Sequence, residues 1–265
     1  MKYIALTIAG SDSSGGAGIQ ADLKTFSALG VYGTSAITAL TAQNTVTVSG
    51  VHPAPSKFIA LQIETTLDDI PAGAVKTGML YNTEIIKTVG DTLEKRNQNN
   101  IVVDPVMIAK SGDELLNGEA VPVLRSFLLP ISTVVTPNLP EAERLTGITI
   151  KTLEDMKEAA LKIIKMGALS VVIKGGHMSG SKLVDVLLHK DKFTFFKRDR
   201  INTTHTHGTG CTFSAAIAAG LAKGLSIPDA VKEAEEYIEG CIRASTSLGH
   251  GHGPVNHFFK HWPLG

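Results

Sequence analysis

The segment His205-Thr206-His207-Gly208-Thr209-Gly210-Cys211-Thr212 carries the residue types that phosphate chemistry asks for. Two glycines and their threonines lead directly into Phe213-Ser214-Ala215-Ala216-Ile217-Ala218-Ala219-Gly220, a small-residue run with helical preference. A helix starting there points free backbone N–H groups and the positive end of its dipole at whatever lies in front, which makes an anion site. Cys211 stands in the same turn, where that field is expected to lower a thiol pKa and favour the thiolate as base or nucleophile. The same residues would equally build an ordinary capped helix with a buried cysteine.

A second glycine cluster, Gly10-Ser11-Asp12-Ser13-Ser14-Gly15-Gly16-Ala17-Gly18, follows an apolar run and precedes a helical one. Gly16 to Ala21 matches the dinucleotide fingerprint G-x-G-x-x-A, but no Asp or Glu occurs between Asp22 and Glu64 to hold a ribose hydroxyl, which argues against a dehydrogenase. Gly175 to Gly180 followed by Ser181-Lys182 has its last two residues in the wrong order for a nucleotide P-loop. The N-terminal cluster is therefore read as a loop holding a small substrate by backbone groups, with Asp12 and Asp22 as polar contacts, or as a plain strand-to-helix connection.

Short apolar runs alternate with amphipathic segments throughout, the signature of βαβ units and a parallel sheet covered on both faces. Strands are expected at 3–9, 34–41, 74–77, 101–104, 133–136 and 170–174. Helices are expected at 17–29, 56–67, 83–96, 153–166, 209–223 and 227–245. The segments 182–189 and 192–199 flank Lys190-Asp191 as an antiparallel hairpin. With 265 residues, no repeat and no linker, the chain reads as one domain over 1–265.

Composition narrows the class. Hydrophobic residues make up 43%, charged residues 19%, and the formal net charge is +0, without the basic excess of a nucleic-acid binder. No apolar run reaches the roughly 18 residues of a membrane span. The two cysteines, Cys211 and Cys241, lack metal-ligand spacing, and with no secretory leader a cytoplasmic setting is expected. His205/His207 and His250/His252, with His257 and His261, have no carboxylate or cysteine in register for a transition metal. His207 is expected to contact phosphate or cap the loop.

Eight fragments in order resemble the ribokinase-like family and, within it, the hydroxymethylpyrimidine/phosphomethylpyrimidine kinases of thiamine biosynthesis. They are Ala9 to Asp22, Thr41-Ala42-Gln43-Asn44-Thr45, Val75-Lys76-Thr77-Gly78-Met79, Val103-Asp104-Pro105-Val106-Met107, Thr136-Pro137-Asn138-Leu139-Pro140-Glu141-Ala142, Ile173-Lys174-Gly175-Gly176-His177, and the C-terminal pair His205 to Thr212 and Gly251 to His257. The resemblance implies a three-layer α/β/α sandwich with a mostly parallel central sheet. It implies ATP beside the C-terminal helices and two successive phosphorylations, of 4-amino-5-hydroxymethyl-2-methylpyrimidine and then of its monophosphate. Pyridoxal or pyridoxine kinase activity on the same fold is the alternative, and a non-catalytic sensor is disfavoured by the phosphoryl-transfer groups. A homodimer is also implied.

On this resemblance Gly208, Thr209 and Gly210 supply N–H groups to the migrating phosphoryl, and Cys211 takes the base position that an aspartate holds in the family's sugar kinases. Asn138, Lys174, Thr206 and His207 are assigned to ATP, and Asp104 and Glu141 to Mg²⁺. Asn138 and Glu141 would form a helix N-cap and first-turn glutamate equally well, and Lys174 a structural ion pair. Gln43 reads the paired amino group and ring nitrogen of the pyrimidine, Met79 and Val106 line its faces, Gly10 offers backbone contact, and Asp22 a polar one. Ile108 to Asp113 is a candidate lid. Ala109 stands where some pyridoxal kinases carry a cysteine, which with Gln43 favours the pyrimidine.

Overall fold

Period-two alternation inside the apolar runs decides the layering. In the computed structural model, which describes residues 2–107, 119–176 and 182–262, each central strand sends alternate side chains into two separate cores. Leu6, Ile8, Val75, Ile101, Val103, Val135, Val171 and Ile173 enter one; Ala5, Ala74, Val102, Val134 and Val172 enter the other. A sheet apolar on both faces needs a helical layer on each, and the chain supplies them.

The elements run β1 (Ile4–Asp12), α1 (Gly18–Ala28), β2 (Tyr32–Gln43), β3 (Val48–Pro53), α2 (Ser56–Asp69), β4 (Ala74–Thr77), α3 (Thr83–Lys95), β5 (Ile101–Val103), α4 (Ala120–Phe127), β6 (Val134–Val135), α5 (Leu139–Thr146), α6 (Leu153–Lys165), β7 (Ser170–Ile173), β8 (Lys182–His189), β9 (Lys192–Asp199), α7 (Thr209–Ala222) and α8 (Ile227–Arg243). Among the described residues they build a nine-stranded sheet in the order β3-β2-β1-β4-β5-β6-β7-β8-β9. The six strands from β2 to β7 are parallel; β3 at one edge and the β8–β9 hairpin at the other are antiparallel. Helices α2 to α6 pack on the first core, and α1, α7 and α8 on the second. The expected three-layer α/β/α sandwich is the observed fold. No helix among the described residues is long and apolar enough to cross a membrane.

The hairpin falls where expected, and the differences elsewhere have local causes. β1 runs on through Gly10 and Ser11 to Asp12, past its expected end at Ala9, because a register shift between Ala9 and Ser11 keeps it paired to β2. β3 was not anticipated: Val48-Ser49-Gly50-Val51-His52-Pro53 is polar, half-exposed and lies at an edge, so it lacks an apolar run. Gly175-Gly176 and Lys182 join two antiparallel strands, β7 and β8, which is no setting for a nucleotide P-loop. The candidate lid at 108–113 and His177 lie outside the described residues.

Chain order reverses direction in the sheet between β1 and β4, since β2 lies on one side of β1 and β4 on the other. Crevices at such a switch point, at the carboxyl ends of the strands, are where open α/β sheets bind ligands. Asp12, Gly78-Met79, Asp104, Asn138 and Lys174 all follow their strands at that edge. Helix α7 begins at the same edge, buried on nearly every side between α1, α8 and the sheet, which explains its Ala-rich composition. Phe26 of α1, with no exposed surface, is the largest apolar plug of that layer. Phe26→Ala should cost about 3–5 kcal/mol, read as a lower urea midpoint at unchanged m-value.

Candidate active site

The first turn of α7 is a bare backbone surface. Its N-cap, Gly208, adopts φ 81°, a left-handed conformation that glycine takes without strain. A Cβ there would overlap the Gly16 carbonyl oxygen, and a Cβ on Gly16 would overlap the His207 ring, so the two glycine loops touch backbone to backbone. Thr209 Oγ1 donates to the Thr206 carbonyl at 2.7 Å and tightens the entry turn. First-turn N–H groups have no helical acceptor, and here Gly208, Thr209, Gly210 and Cys211 line a cavity of about 800 Å³.

That cavity collects every candidate site residue except Asp22. At the β1–β2–β4 end it is lined by Gly10, Gln43, Met79 and Val106; near the middle by Asp104, Asn138, Glu141, Lys174, Thr206 and His207. Its far wall, towards β8, β9 and α8, includes Leu183, Arg198, Ile238 and Ile242, none of which the motifs had singled out. Met79 is nearly buried, held by Thr38 Oγ1 donating to its carbonyl at 2.7 Å. Gln43 lies at the end of β2, its main chain clasped by Ser13: Ser13 Oγ donates to the Gln43 carbonyl at 2.7 Å, and Gln43 N–H donates to Ser13 Oγ at 2.8 Å. His207 lines the cavity and reaches back to the N-terminal loop. Its Nε2 lies 2.8 Å from Asp12 Oδ2, and both residues are buried.

Charged groups cluster beneath α7. Asp104 accepts from Lys174 Nζ at 3.2 Å, Thr136 Oγ1 at 3.3 Å and Ser214 Oγ at 3.3 Å. Asn138 and Glu141 form the reciprocal capping box that their spacing allows: Glu141 N–H donates to Asn138 Oδ1 at 2.9 Å, and Asn138 N–H to Glu141 Oε2 at 2.8 Å. Burial pushes the Glu141 carboxyl up to about 7, with Lys174 opposing and Asp104 adding to the rise. Burial depresses the Lys174 ammonium, but Asp104 and Glu141 outweigh it, so its pKa ends above the usual lysine range. Two buried carboxylates whose charges repel each other, both lining the cavity, are oxygen donors of the kind Mg²⁺ takes, and Mg²⁺ completes its shell from water and substrate phosphates. The residues fit that ion. Among the described residues no group of three or more His, Cys, Asp and Glu is arranged to hold a metal.

Asp22 and Cys211 differ from expectation. Asp22 has no exposed surface and does not reach the cavity; its Oδ2 accepts from Lys76 Nζ at 2.9 Å and from Thr7 Oγ1 at 2.6 Å. Burial raises the Asp22 carboxyl, yet two donors on one oxygen hold the pair in its charged form, and Lys76 is raised in turn chiefly by Asp22 against its own burial. Cys211 has no lowered pKa. Burial pushes its thiol up to about 11, opposed by Lys76 and by the Gly18 N–H and reinforced by Asp22 and Asp104. A helix dipole is worth about 0.3–1 kcal/mol, too little to offset the loss of water around a thiolate between two carboxylates. Lys76 was quoted in a motif without a role; a lone lysine in an apolar strand carries no signal of its partner 54 residues away.

The phosphomethylpyrimidine kinase profile matches residues 12–256. The chain belongs to the phosphomethylpyrimidine kinase family. It is 51% identical over 257 residues to the hydroxymethylpyrimidine/phosphomethylpyrimidine kinase of Bacillus subtilis (strain 168), covering 97% of this chain and 95% of that one. Among solved structures, an ADP complex of Bacillus subtilis pyridoxal kinase superposes with a TM-score of 0.91 at 44% identity, covering 97% of this chain and 98% of the other. A phosphomethylpyrimidine kinase from Clostridium difficile 630 superposes with a TM-score of 0.81 at 48% identity, covering 90% and 98%.

The Lys76 charge is the strongest influence holding the Cys211 thiol pKa down. Lys76→Met leaves Asp22 buried without its ion, so stability should fall by about 3–5 kcal/mol. In protein that remains folded, Cys211 should react more slowly with iodoacetamide at pH 9, measured by mass on the Cys211 peptide. Unchanged alkylation would mean that Lys76 does not act on the thiol.

Proposed function

We propose that the chain is one ATP-dependent kinase domain that phosphorylates 4-amino-5-hydroxymethyl-2-methylpyrimidine and then its monophosphate, yielding the diphosphate used in thiamine biosynthesis. The observation that carries the reading is the shared cavity: the α7 anion turn, the Asp104–Lys174 pair and the Gly10/Gln43/Met79/Val106 pocket open into one space. A substrate hydroxyl held at the β1–β2–β4 end then meets a phosphoryl group held at α7.

In the first step the pyrimidine hydroxyl oxygen forms a bond to the γ-phosphorus of ATP, the bond from phosphorus to the β-phosphate oxygen breaks, and ADP leaves. Gly208, Thr209 and Gly210 direct their N–H groups at the equatorial oxygens, where charge is spread in the transition state. Lys174 and Asn138 position the ATP phosphates. Asp104 and Glu141 would hold Mg²⁺, which when bound neutralises phosphate charge. Gln43 offers an amide donor and acceptor to the amino group and ring nitrogen, while Met79 and Val106 pack on the ring. Cys211 accepts the hydroxyl proton. In the second step the nucleophile is a phosphate oxygen, which arrives already ionised and needs no such base.

A pyridoxal or pyridoxine side activity is the second reading, favoured by the closeness of the pyridoxal kinase structures. Mass analysis of products from Mg·ATP with either ring separates the two. Pyrimidine monophosphate followed by diphosphate is the expected result; pyridoxal phosphate alone would remove the pyrimidine assignment.

The two steps should also separate by pH. With Cys211 at about 11, its thiolate fraction grows about tenfold per pH unit below that value. The first phosphorylation should therefore accelerate between pH 8 and 10, by up to about tenfold per pH unit and so about 100-fold across that range, while the second stays nearly flat. Cys211→Ala should slow the first step about 10²-fold or more and abolish its pH rise. Equal losses in both steps would remove Cys211 as the base.

The enzyme is further read as a cytoplasmic homodimer. Exposed Leu40 on β2, Val46 between β2 and β3, and Phe58 and Leu61 on α2 offer apolar surface for a second copy. Analytical sedimentation should give twice the chain mass; a monomer at micromolar concentration would contradict this.

A further inference from the structure

The family reading leaves one buried cluster without a task. Asp12 closes β1 and His207 precedes the α7 turn, 195 residues later. Asp12 Oδ2 accepts from Ala17 N–H at 2.8 Å and Gly16 N–H at 3.1 Å as well as meeting His207 Nε2 at 2.8 Å. Asp12 Oδ1 accepts from Ser14 N–H at 2.8 Å and Ser14 Oγ at 2.7 Å. This carboxylate therefore has no capacity left for a substrate, and His207 Nε2 is committed to it. The His207 main chain is fixed from the other side, its N–H donating to the Gly253 carbonyl at 3.0 Å and its carbonyl accepting from Val255 N–H at 3.3 Å.

The cluster continues to the pyrimidine pocket. Ser13, next to Asp12, clasps Gln43 at both its N–H and carbonyl. Gly10, two residues before Asp12, lines the same pocket. One hydrogen-bonded path thus joins the turn that binds the phosphoryl group to the residues that hold its acceptor.

We propose that Asp12 and His207 act as one positioning pair that sets the distance between the pyrimidine loop and the phosphoryl-binding turn, and that His207 is not an ATP ligand. The proposal rests on the kinase reading above. In-line transfer is sensitive to such a distance, since a 1 Å misplacement costs about 10²-fold in rate. Losing the pair therefore lowers kcat and spares ATP affinity.

The test is steady-state kinetics on wild type, Asp12→Asn, His207→Ala, His207→Gln and the Asp12→Asn/His207→Ala double variant, with thermal unfolding run in parallel. Each of the two disruptive single variants should lose about 10–100-fold in kcat with the KM for ATP within about twofold of wild type. The double variant should be no worse than the weaker single, as expected of two groups acting as a unit. His207→Gln, whose amide can still donate to Asp12, should recover most of the loss. Losses that multiply, a glutamine no better than alanine, or a tenfold rise in KM for ATP at preserved kcat would each overturn the proposal. Should Asp12→Asn not fold, the alanine-against-glutamine comparison at His207 decides alone. Rates are taken with whichever hydroxymethyl ring wild type accepts, so a failure of the pyrimidine assignment is seen separately in wild type.

Discussion

The molecule is organised around one close approach: the first turn of α7 lies against the loop after β1 with no side chain between them. Gly208 and Gly16 leave no room for a Cβ on either side. This contact brings residues from the two ends of the chain to a common edge of the sheet. It also lets Gly208 and Gly210 line the cavity with backbone alone. Position, anion affinity and substrate access follow from the same absence of side chains.

That approach has an electrostatic consequence. Pressing α7 onto β1, β4 and β5 gathers the buried Asp22, Lys76 and Asp104 with the mostly covered Lys174. Isolated buried charges cost several kcal/mol each, so each ion is paired: Lys76 with Asp22 and Lys174 with Asp104. The resulting array holds two ammonium groups near the anion turn at fixed positions. Charge of that kind needs no rearrangement as a phosphoryl group passes, which is how electrostatic preorganisation lowers a barrier. The same burial raises the Cys211 thiol.

Residues legible in the sequence were those whose function is local. The capping box at Asn138 and Glu141 follows from a three-residue spacing on a helix start, and the hairpin at 182–199 from two alternating runs around a short turn. The anion turn was legible because small residues before a helix produce free N–H groups whatever surrounds them. β3 was not legible, since an edge strand half-exposed to solvent carries no apolar run.

The sequence by itself determined the layered α/β class, most of the strands and helices in order though not β3 or α4, and the chemical inventory of the site. These depend on residue periodicity and on neighbours within a few positions. Only the tertiary structure decided which ions pair, that Asp22 serves Lys76 and not the substrate, that His207 belongs to Asp12, and that the Cys211 thiol rises instead of falling. Each of these depends on burial and on partners 54 to 195 residues apart. Neither desolvation nor a distant partner leaves a mark on the residue types around the group it acts upon.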